Sequence, residues 1–546
     1  MTLSLRRRQF MLAVILILGT ALRLGFYLSR PSLTIDETTL SLDLGLRSFM
    51  ELLRPLASLQ TGPVLFLSAV KLCTAVAGMN EYTLRVVPLA AGSLIPVLVW
   101  GVGRRVVTEP AAILATSLAA FAPALIQYSV TAKPYITDAL FALLIVWCTL
   151  DLLDRPESAA AWVRLGVVGL VSILGSLPAP FLLAGAMAAI VTGVRPLGGR
   201  TAQRLILCLA AWGAVWVPLY ALLYRPVAAS WYMQQFWGPA SFAPGHAAGW
   251  WNLARGMFMS IVGRSAPAAV IIGFADTVGV GLWVWLRGLP RPRVALLGVP
   301  LLLLLVASGL HRYPLAARLL MFTVPTLLLG LAAAFASPKL QRARLGWALG
   351  VLAVVALIGV NVVHPYRPAA TRQAVDTLER LARAGEPIYL ASGSIPTWAF
   401  YTTDWAHADT AYLDWIERYA GTPGAPAFHN TPPRGRPVGP EEGDSLRTTR
   451  GGRFELLGLA SGIQWREGRG FGVPVVSDSG WAAREAARIA AVGHPTVWAL
   501  VANSYPTMMQ ELYAAVGRAG GAIDSDIRVG GVRLTRWRFG VVSADR

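Results

Sequence analysis

Two adjacent carboxylates, Asp36 and Glu37, stand in "SLTIDETTLSL" (residues 32–42), just after the first long apolar run of the chain. A carboxylate at a membrane surface can take a proton from an acceptor hydroxyl, or it can simply start a helix. Thr34 and Glu37 fit the capping box S/T-x-x-E, and Asp36 falls in the first turn, where an acid favours the helix dipole. The cap explains Glu37 well. It explains Asp36 only weakly, because any acid or even Ser would serve there, so spacing alone leaves catalysis and capping both open.

Basic groups gather in two other places. "QYSVTAKPYITDALF" (127–141) brings Lys133, Tyr135 and Asp138 together after the third apolar span. "HRYPLAARLLMFTVP" (311–325) sets His311, Arg312 and Tyr313 at a span boundary and Arg318 inside an otherwise apolar run. An arginine there costs a few kcal/mol to insert, so it should face a cavity, a carboxylate or a phosphate. Guanidinium and ammonium groups bind phosphate oxygens through charge-assisted hydrogen bonds. A carboxylate beside them suits transfer from a lipid-linked phosphate donor to a hydroxyl. The plainer alternative is a snorkelling Lys133 with Asp138 as a capping acid.

The elements that must position these groups are membrane helices. Of 546 residues, 55% are hydrophobic and 14% charged, against about 25% charged in ordinary soluble proteins. Residues 1–363 hold 28 Lys+Arg and 11 Asp+Glu, and residues 364–546 hold 20 and 18. The excess positive charge thus belongs to the apolar half, which argues against nucleic acid as a partner. Apolar runs at 10–28, 84–103, 110–127, 137–153, 161–177, 179–194, 204–224, 266–286, 294–310, 315–336 and 345–363 give about 11 transmembrane helices. With the N-terminus in the cytoplasm, 16 of the 28 basic residues of this half fall inside, as the positive-inside rule expects.

The segment "GPVLFLSAVKLCTAVAG" (62–78) reads instead as a helix lying on the outer interface, with Lys71 reaching toward headgroups. Outer loops span 29–83 and 225–264, and the second carries Trp231, Tyr232, Trp237, Trp250 and Trp251. These read mainly as an aromatic belt, or else as a stacking surface for a sugar or prenyl chain. Only three lysines stand beside 45 arginines, a bias of high-GC bacterial genomes.

From 364 the composition changes to that of a soluble α/β domain, residues 364–546, on the outer side. Residues 371–385 read as an amphipathic helix and "PIYLAS" as a buried strand. The order repeats with "SDSGWAAREAARIAAVGH" and "PTVWALVA". "SYPTMMQELYAAVGRAG" reads as a further helix and "GVRLTRWRFG" as an edge strand. The Pro/Gly-rich stretch 421–444 reads as a loop. The expected architecture is a polytopic α-helical membrane domain, 1–363, followed by this extracytoplasmic domain.

"TIDETTLSLDLG" resembles the first outer loop of the GT-C glycosyltransferases that use polyprenyl-phosphate sugars, such as protein O-mannosyltransferases and aminoarabinose transferases. Residues 61–106 are similar to that family's interfacial helix, its Glu-x-x-x-Arg entry to the second span and its closing Arg–Arg. "QYSVTAKPYITDALFALL" and "RYPLAARLLMFTVPTLLL" resemble later blocks, so the likeness covers about 1–330 in order. It implies Asp36 as the base with Glu37 supporting the site. It also implies that Lys133, Tyr135 and Arg318 cradle the donor phosphate, with Arg85 contributing. The chain departs from the family's Glu-Ala-Arg-Pro-Tyr at Thr131-Ala132-Lys133-Pro134-Tyr135; the change keeps a charge but loses the planar fork.

The resulting expectation is an inverting glycosyltransferase of a bacterial cytoplasmic membrane. It would move a sugar from a polyprenyl-phosphate donor to a hydroxyl of a glycan, lipid or protein at the outer face. Two acids could help hold Mg²⁺ or Mn²⁺, whereas basic side chains suffice for a monophosphate, so a divalent cation stays open. The six histidines show no paired spacing for zinc, and the three cysteines lie in apolar segments. The competing classes are a flippase for a lipid-linked glycan, which needs a polar path that intramembrane acids such as Asp276 barely supply, and a non-catalytic scaffold.

Overall fold

The structure is a computed structural model. It describes the chain except residues 1–4, 58–59, 195–197, most of 230–284, 337–344, 384–385, 409–480, 505 and 541–546. The membrane half runs α1 (Leu5–Leu28), α2 (Ile35–Leu46), α3 (Val64–Ala77), α4 (Glu81–Val106), α5 (Glu109–Phe121), α6 (Pro123–Ser129) and α7 (Tyr135–Asp154). It continues with α8 (Ala159–Gly175), α9 (Ala179–Gly193), α10 (Gly199–Leu219), α11 (Arg291–Gly309), α12 (Val324–Phe335) and α13 (Leu345–Val363).

Among the described residues, seven helical segments are long and apolar enough to span a membrane, or eight if the bent pair α5–α6 is one span. Two further expected spans, α8 and α9, are apolar but shorter, and the one at 266–286 lies outside the described residues up to 284. The bend has a local cause. Pro123 has no N–H to continue the ladder, and its ring drives Ala122 to ψ 119°. The two pieces meet at 51°.

The 14 residues of α3 measure about 21 Å, short of the roughly 30 Å hydrocarbon core. Lys71 on this helix does not extend toward headgroups as expected. Its ammonium donates to the Leu44 carbonyl at 2.8 Å and lies 5.5 Å from the centroid of the Phe49 ring. The unpaired carbonyls at the end of α2 are a nearer and better acceptor than solvent.

The C-terminal part forms α14 (Thr371–Leu381), β1 (Ile388–Leu390), α15 (Ile395–Thr402), α16 (Trp481–Ala490), β2 (Thr496–Val501), α17 (Pro506–Arg518), β3 (Gly521–Val529) and β4 (Val532–Phe539). The sheet order is β1-β2-β4-β3, parallel between β1 and β2 and antiparallel elsewhere. The "GVRLTRWRFG" strand is therefore interior, not an edge. Its unforeseen partner β3 carries Asp524, Asp526 and Arg528 and lacks the apolar signature of a strand. The Gly530–Gly531 turn, with φ of +47° and +88°, joins the two as a hairpin. The stretch 421–444 lies outside the described residues.

Two cores result. One binds the membrane helices together through Ala-rich α5 and the buried faces of α4, α7, α9 and α12. The other is shared: Leu33, Leu40, Leu42, Leu44, Phe66 and Leu67 of the segment 29–83 pack with Val375, Trp398, Phe400, Trp498 and Trp537 of the C-terminal part. The loop carrying Asp36 and Glu37 is thus part of a folded unit.

Candidate active site

Thr34 caps α2, and the box predicted from sequence forms in full: the Glu37 amide donates to the Thr34 hydroxyl, and Glu37 receives the Thr34 amide at 2.9 Å. Glu37 is fully buried and both its oxygens are taken. Oε2 also receives the Thr34 hydroxyl at 3.0 Å. Oε1 receives Arg85 Nε at 3.0 Å and the Ala132 amide at 2.8 Å, and lies 2.9 Å from Arg85 Nη2.

Arg85 spends its remaining donors on the carbonyls of Pro31, at 2.6 Å, and Ser32, at 3.3 Å. It is 1% exposed. Glu37 and Arg85 therefore hold three segments together: the start of α2, the first turns of α4 and the Val130–Pro134 connection. A buried charge pair needs this degree of hydrogen bonding to offset its desolvation. Neither side chain presents a free charge to a substrate.

Asp36 points the other way. Its carboxylate is 36% exposed and accepts from Arg318 Nη1 at 2.8 Å, with the Arg318 side chain 31% exposed. Arg318 sits on a 3-10 stretch, Ala317–Thr323, ahead of α12, rather than a turn inside a regular helix. Its guanidinium carbon lies 5.3 Å from the centroid of the Trp237 ring. The intramembrane arginine thus has a carboxylate partner, which lowers the cost of its placement.

Lys133 is 4% exposed and donates to Gln60 Oε1 at 2.6 Å. Burial pulls its ammonium down to about 8, and Asp36, Glu37 and Asp43 counter that shift in part. Tyr135 feels the charges of Arg318 and Asp36, and its ring meets Tyr128 edge-on at 5.3 Å. Asp36, Lys133, Tyr135 and Arg318 thus share one site at the mouth of the helical domain, while Glu37 and Arg85 form its floor. Asp138 lies a turn deeper beside Ser176 and Leu177, with one carboxylate oxygen lacking a hydrogen-bond partner among the described residues.

Trp237, read from sequence as aromatic belt or stacking surface, completes the surroundings with Gln60, Tyr128 and Tyr366, which were not singled out for the site from sequence. Tyr366 reaches it from the segment joining α13 to α14; burial, then the nearby Glu37 carboxylate, pushes its phenol well above the ordinary value. Trp237 had a signal, the aromatic loop, whereas the other three had none. Trp231 and Tyr232 of that loop lie outside the described residues.

For a cation, Asp36 is the carboxylate with lone pairs turned to the mouth, since those of Glu37 are engaged. Among the described residues no three His, Cys, Asp or Glu side chains gather as a ligand set. A Mg²⁺ or Mn²⁺ ion here would have to draw most of its oxygens from substrate and water.

Residues 61–217 match the sequence profile of the family described as dolichyl-phosphate-mannose-protein mannosyltransferase. The structure is similar along its whole length to ArnT from Cupriavidus metallidurans. The apo form aligns with TM-score 0.52 and 13% identity over 97% of both chains. The form bound to undecaprenyl phosphate aligns with TM-score 0.53 and 12% identity over 99% of both. No curated relative matches the chain in sequence. The profile match over 61–217 and the shared fold agree with the GT-C resemblance read from the sequence motifs, and the chain is a polytopic membrane protein with the fold of the GT-C glycosyltransferases.

Proposed function

We propose that the protein transfers a sugar from a polyprenyl-phosphate donor to an acceptor hydroxyl at the outer face of a bacterial cytoplasmic membrane. The observation that carries this reading is the Asp36 carboxylate held at the membrane mouth beside Arg318, with Lys133 and Tyr135 in the same site. The GT-C fold and the profile match over 61–217 support it. So does ArnT, which binds undecaprenyl phosphate in a solved structure.

In this reading the donor phosphate lies on Lys133 and Arg318, and Tyr135 contributes its hydroxyl. Asp36 takes the proton of the acceptor hydroxyl while that oxygen attacks C1 of the sugar. The bond from C1 to the phosphate oxygen breaks, and its electron pair leaves with the polyprenyl phosphate. The leaving phosphate gains negative charge, which preorganised cations stabilise more in the transition state than in the donor. A single displacement inverts the anomeric centre. Glu37 and Arg85 position the loops and do not touch the donor.

The N-terminus is cytoplasmic, the membrane domain runs to about 363, and the domain from 364 lies outside, where it backs the Asp36 loop. The test is transfer from a panel of radiolabelled polyprenyl-phosphate sugars to native membrane extract, with Asp36→Asn run in parallel. Transfer by wild type and its loss in the variant is the expected result. Equal transfer by both would remove Asp36 as the base, and no transfer by either would remove the enzyme reading.

A further inference from the structure

We infer that Arg23, assisted by Asn361, is a positioning residue that sets the α5–α6 bend and thereby the placement of Lys133 and the Glu37–Ala132 contact. The consequence for donor binding rests on the function proposed above. Arg23 lies in α1 and is fully buried, and its hydrogen-bond acceptors are all carbonyl and hydroxyl oxygens.

The bend explains why an arginine is there. An unbroken helix would pair the carbonyls of Ala119, Ala120 and Phe121 with the amides of residues 123, 124 and 125. Residue 123 is proline, and the turn at Ala122 carries the next two amides away; the ladder resumes with the Ile126 amide on Ala122 at 3.1 Å. Three carbonyls are thus stranded where no bulk water can reach them, a costly state inside a membrane.

Each stranded carbonyl has a side-chain donor. Arg23 Nη2 donates to Ala119 O at 3.0 Å and Nη1 to Ala120 O at 2.7 Å. Asn361 Nδ2, from α13, donates to Phe121 O at 2.8 Å. Arg23 Nε reaches past the bend to Ser129 Oγ at 3.2 Å, at the far end of α6. One planar guanidinium therefore touches both sides of the bend. Gly19, one turn before Arg23, lets α1 approach closely enough: a Cβ there would lie 2.8 Å from that of Ala120.

Ser129 ends α6, and Ala132 and Lys133 follow within four residues. The Ala132 amide bonds to Glu37 at 2.8 Å, and Lys133 belongs to the candidate site. A bend that relaxes moves both.

The test uses full-length protein in lipid nanodiscs with Arg23→Met, Arg23→Lys and Asn361→Leu. Hydrogen–deuterium exchange is read across the chain, and affinity is read for undecaprenyl phosphate. In Arg23→Met, exchange rises over 122–134 while α4, α7 and α8 stay protected, and affinity falls by about tenfold or more, the scale expected of a misplaced contact. Arg23→Lys recovers part of both. Wild-type exchange in Arg23→Met, or a uniform rise along the chain, overturns the inference, and so does a local rise with unchanged affinity. If wild type itself binds no polyprenyl phosphate, the donor reading fails, and the exchange pattern still decides whether Arg23 sets the bend. If Arg23→Met does not accumulate as folded protein, Asn361→Leu decides by the same two readouts.

Discussion

Arg318 donates to Asp36 at 2.8 Å, across 282 positions of sequence, so the proposed base and the proposed phosphate ligand neutralise each other before substrate arrives. A donor phosphate must compete with the Asp36 carboxylate for that guanidinium. Donor binding would then also release the carboxylate for the acceptor proton. Asp36→Asn removes the competitor together with the base. Its affinity for undecaprenyl phosphate should equal or exceed that of wild type while transfer falls by about 10²–10⁴-fold, the usual contribution of a general base. Loss of lipid affinity in this variant would mean that Asp36 orders the site rather than reacting in it.

Arg318 makes its bond through one arm of a planar fork and packs near the Trp237 ring. Arg318→Lys keeps the charge and loses the fork and the stacking surface. Donor KM should rise in Arg318→Lys and rise further in Arg318→Gln, by about tenfold for each 1.4 kcal/mol of lost phosphate interaction. Steady-state kinetics with donor varied at fixed acceptor checks this. An unchanged donor KM in both variants would leave Arg318 as the partner of Asp36 alone.

Burial brings the Lys133 ammonium down to about 8. The amine is charged below that value and neutral above it, so donor affinity should fall as pH rises through about 8. Lys133→Arg should hold its affinity to higher pH. The stability of the unliganded fold should show the opposite trend. The unfolded chain keeps its lysine proton to about 10.4, so between that value and about 8 it binds more protons than the folded one. Lys133 thus makes stability rise with pH across that window. Lipid affinity measured from pH 6 to 10 on wild type and Lys133→Arg separates the Lys133 effect from other titrations.

Much of this architecture was legible in the sequence, and the parts that were not have physical reasons. The capping box at Thr34–Glu37 was visible because cap spacing is local. Arg318 announced a partner because a charge in an apolar run demands one. That Glu37 would meet Arg85, 48 positions away, and leave Asp36 as the exposed acid depends on how three loops pack, which spacing does not encode. Arg23 gave the same signal as Arg318 and was read simply as part of the first span. Its partners are carbonyls, which have no side-chain signature. The strand β3 escaped because its Asp524 and Asp526 pair with Arg533, Arg536 and Arg538 of β4, so its sequence carries charge where a strand signature would be apolar.

The floor of the site should be the most sensitive part of the fold. Glu37→Gln keeps the shape of the side chain and removes the charge that Arg85 faces at 2.9 Å in a fully buried pair. Breaking a buried pair by removing one partner costs about 3–5 kcal/mol. Thermal unfolding in detergent should therefore show a lower midpoint for Glu37→Gln, whereas Asp36→Asn, altering a half-exposed pair, should shift it little. The reverse order would contradict the division of labour between the two acids.

Among the contacts by which the C-terminal part reaches the Asp36 loop is a hydrogen bond that removal of a single atom abolishes. The Leu33 amide, immediately before the helix cap, donates to the Tyr401 hydroxyl at 2.8 Å. Arg372 adds an ion pair to Glu81 at 2.8 Å, and Thr371 donates to the Leu33 carbonyl at 3.2 Å. Tyr401→Phe leaves the Leu33 amide without its partner, a loss of about 1–3 kcal/mol for a buried donor. Because Leu33 lies three residues before Asp36 and far from the phosphate ligands in the chain, the variant should lower kcat while leaving donor KM near wild type. Arg372→Ala, on the outer rim of the same contact, should do less. If Tyr401→Phe changed donor KM and not kcat, the C-terminal part would be acting on the donor side of the site, through Tyr366 and the segment that carries it, rather than through the loop of the base.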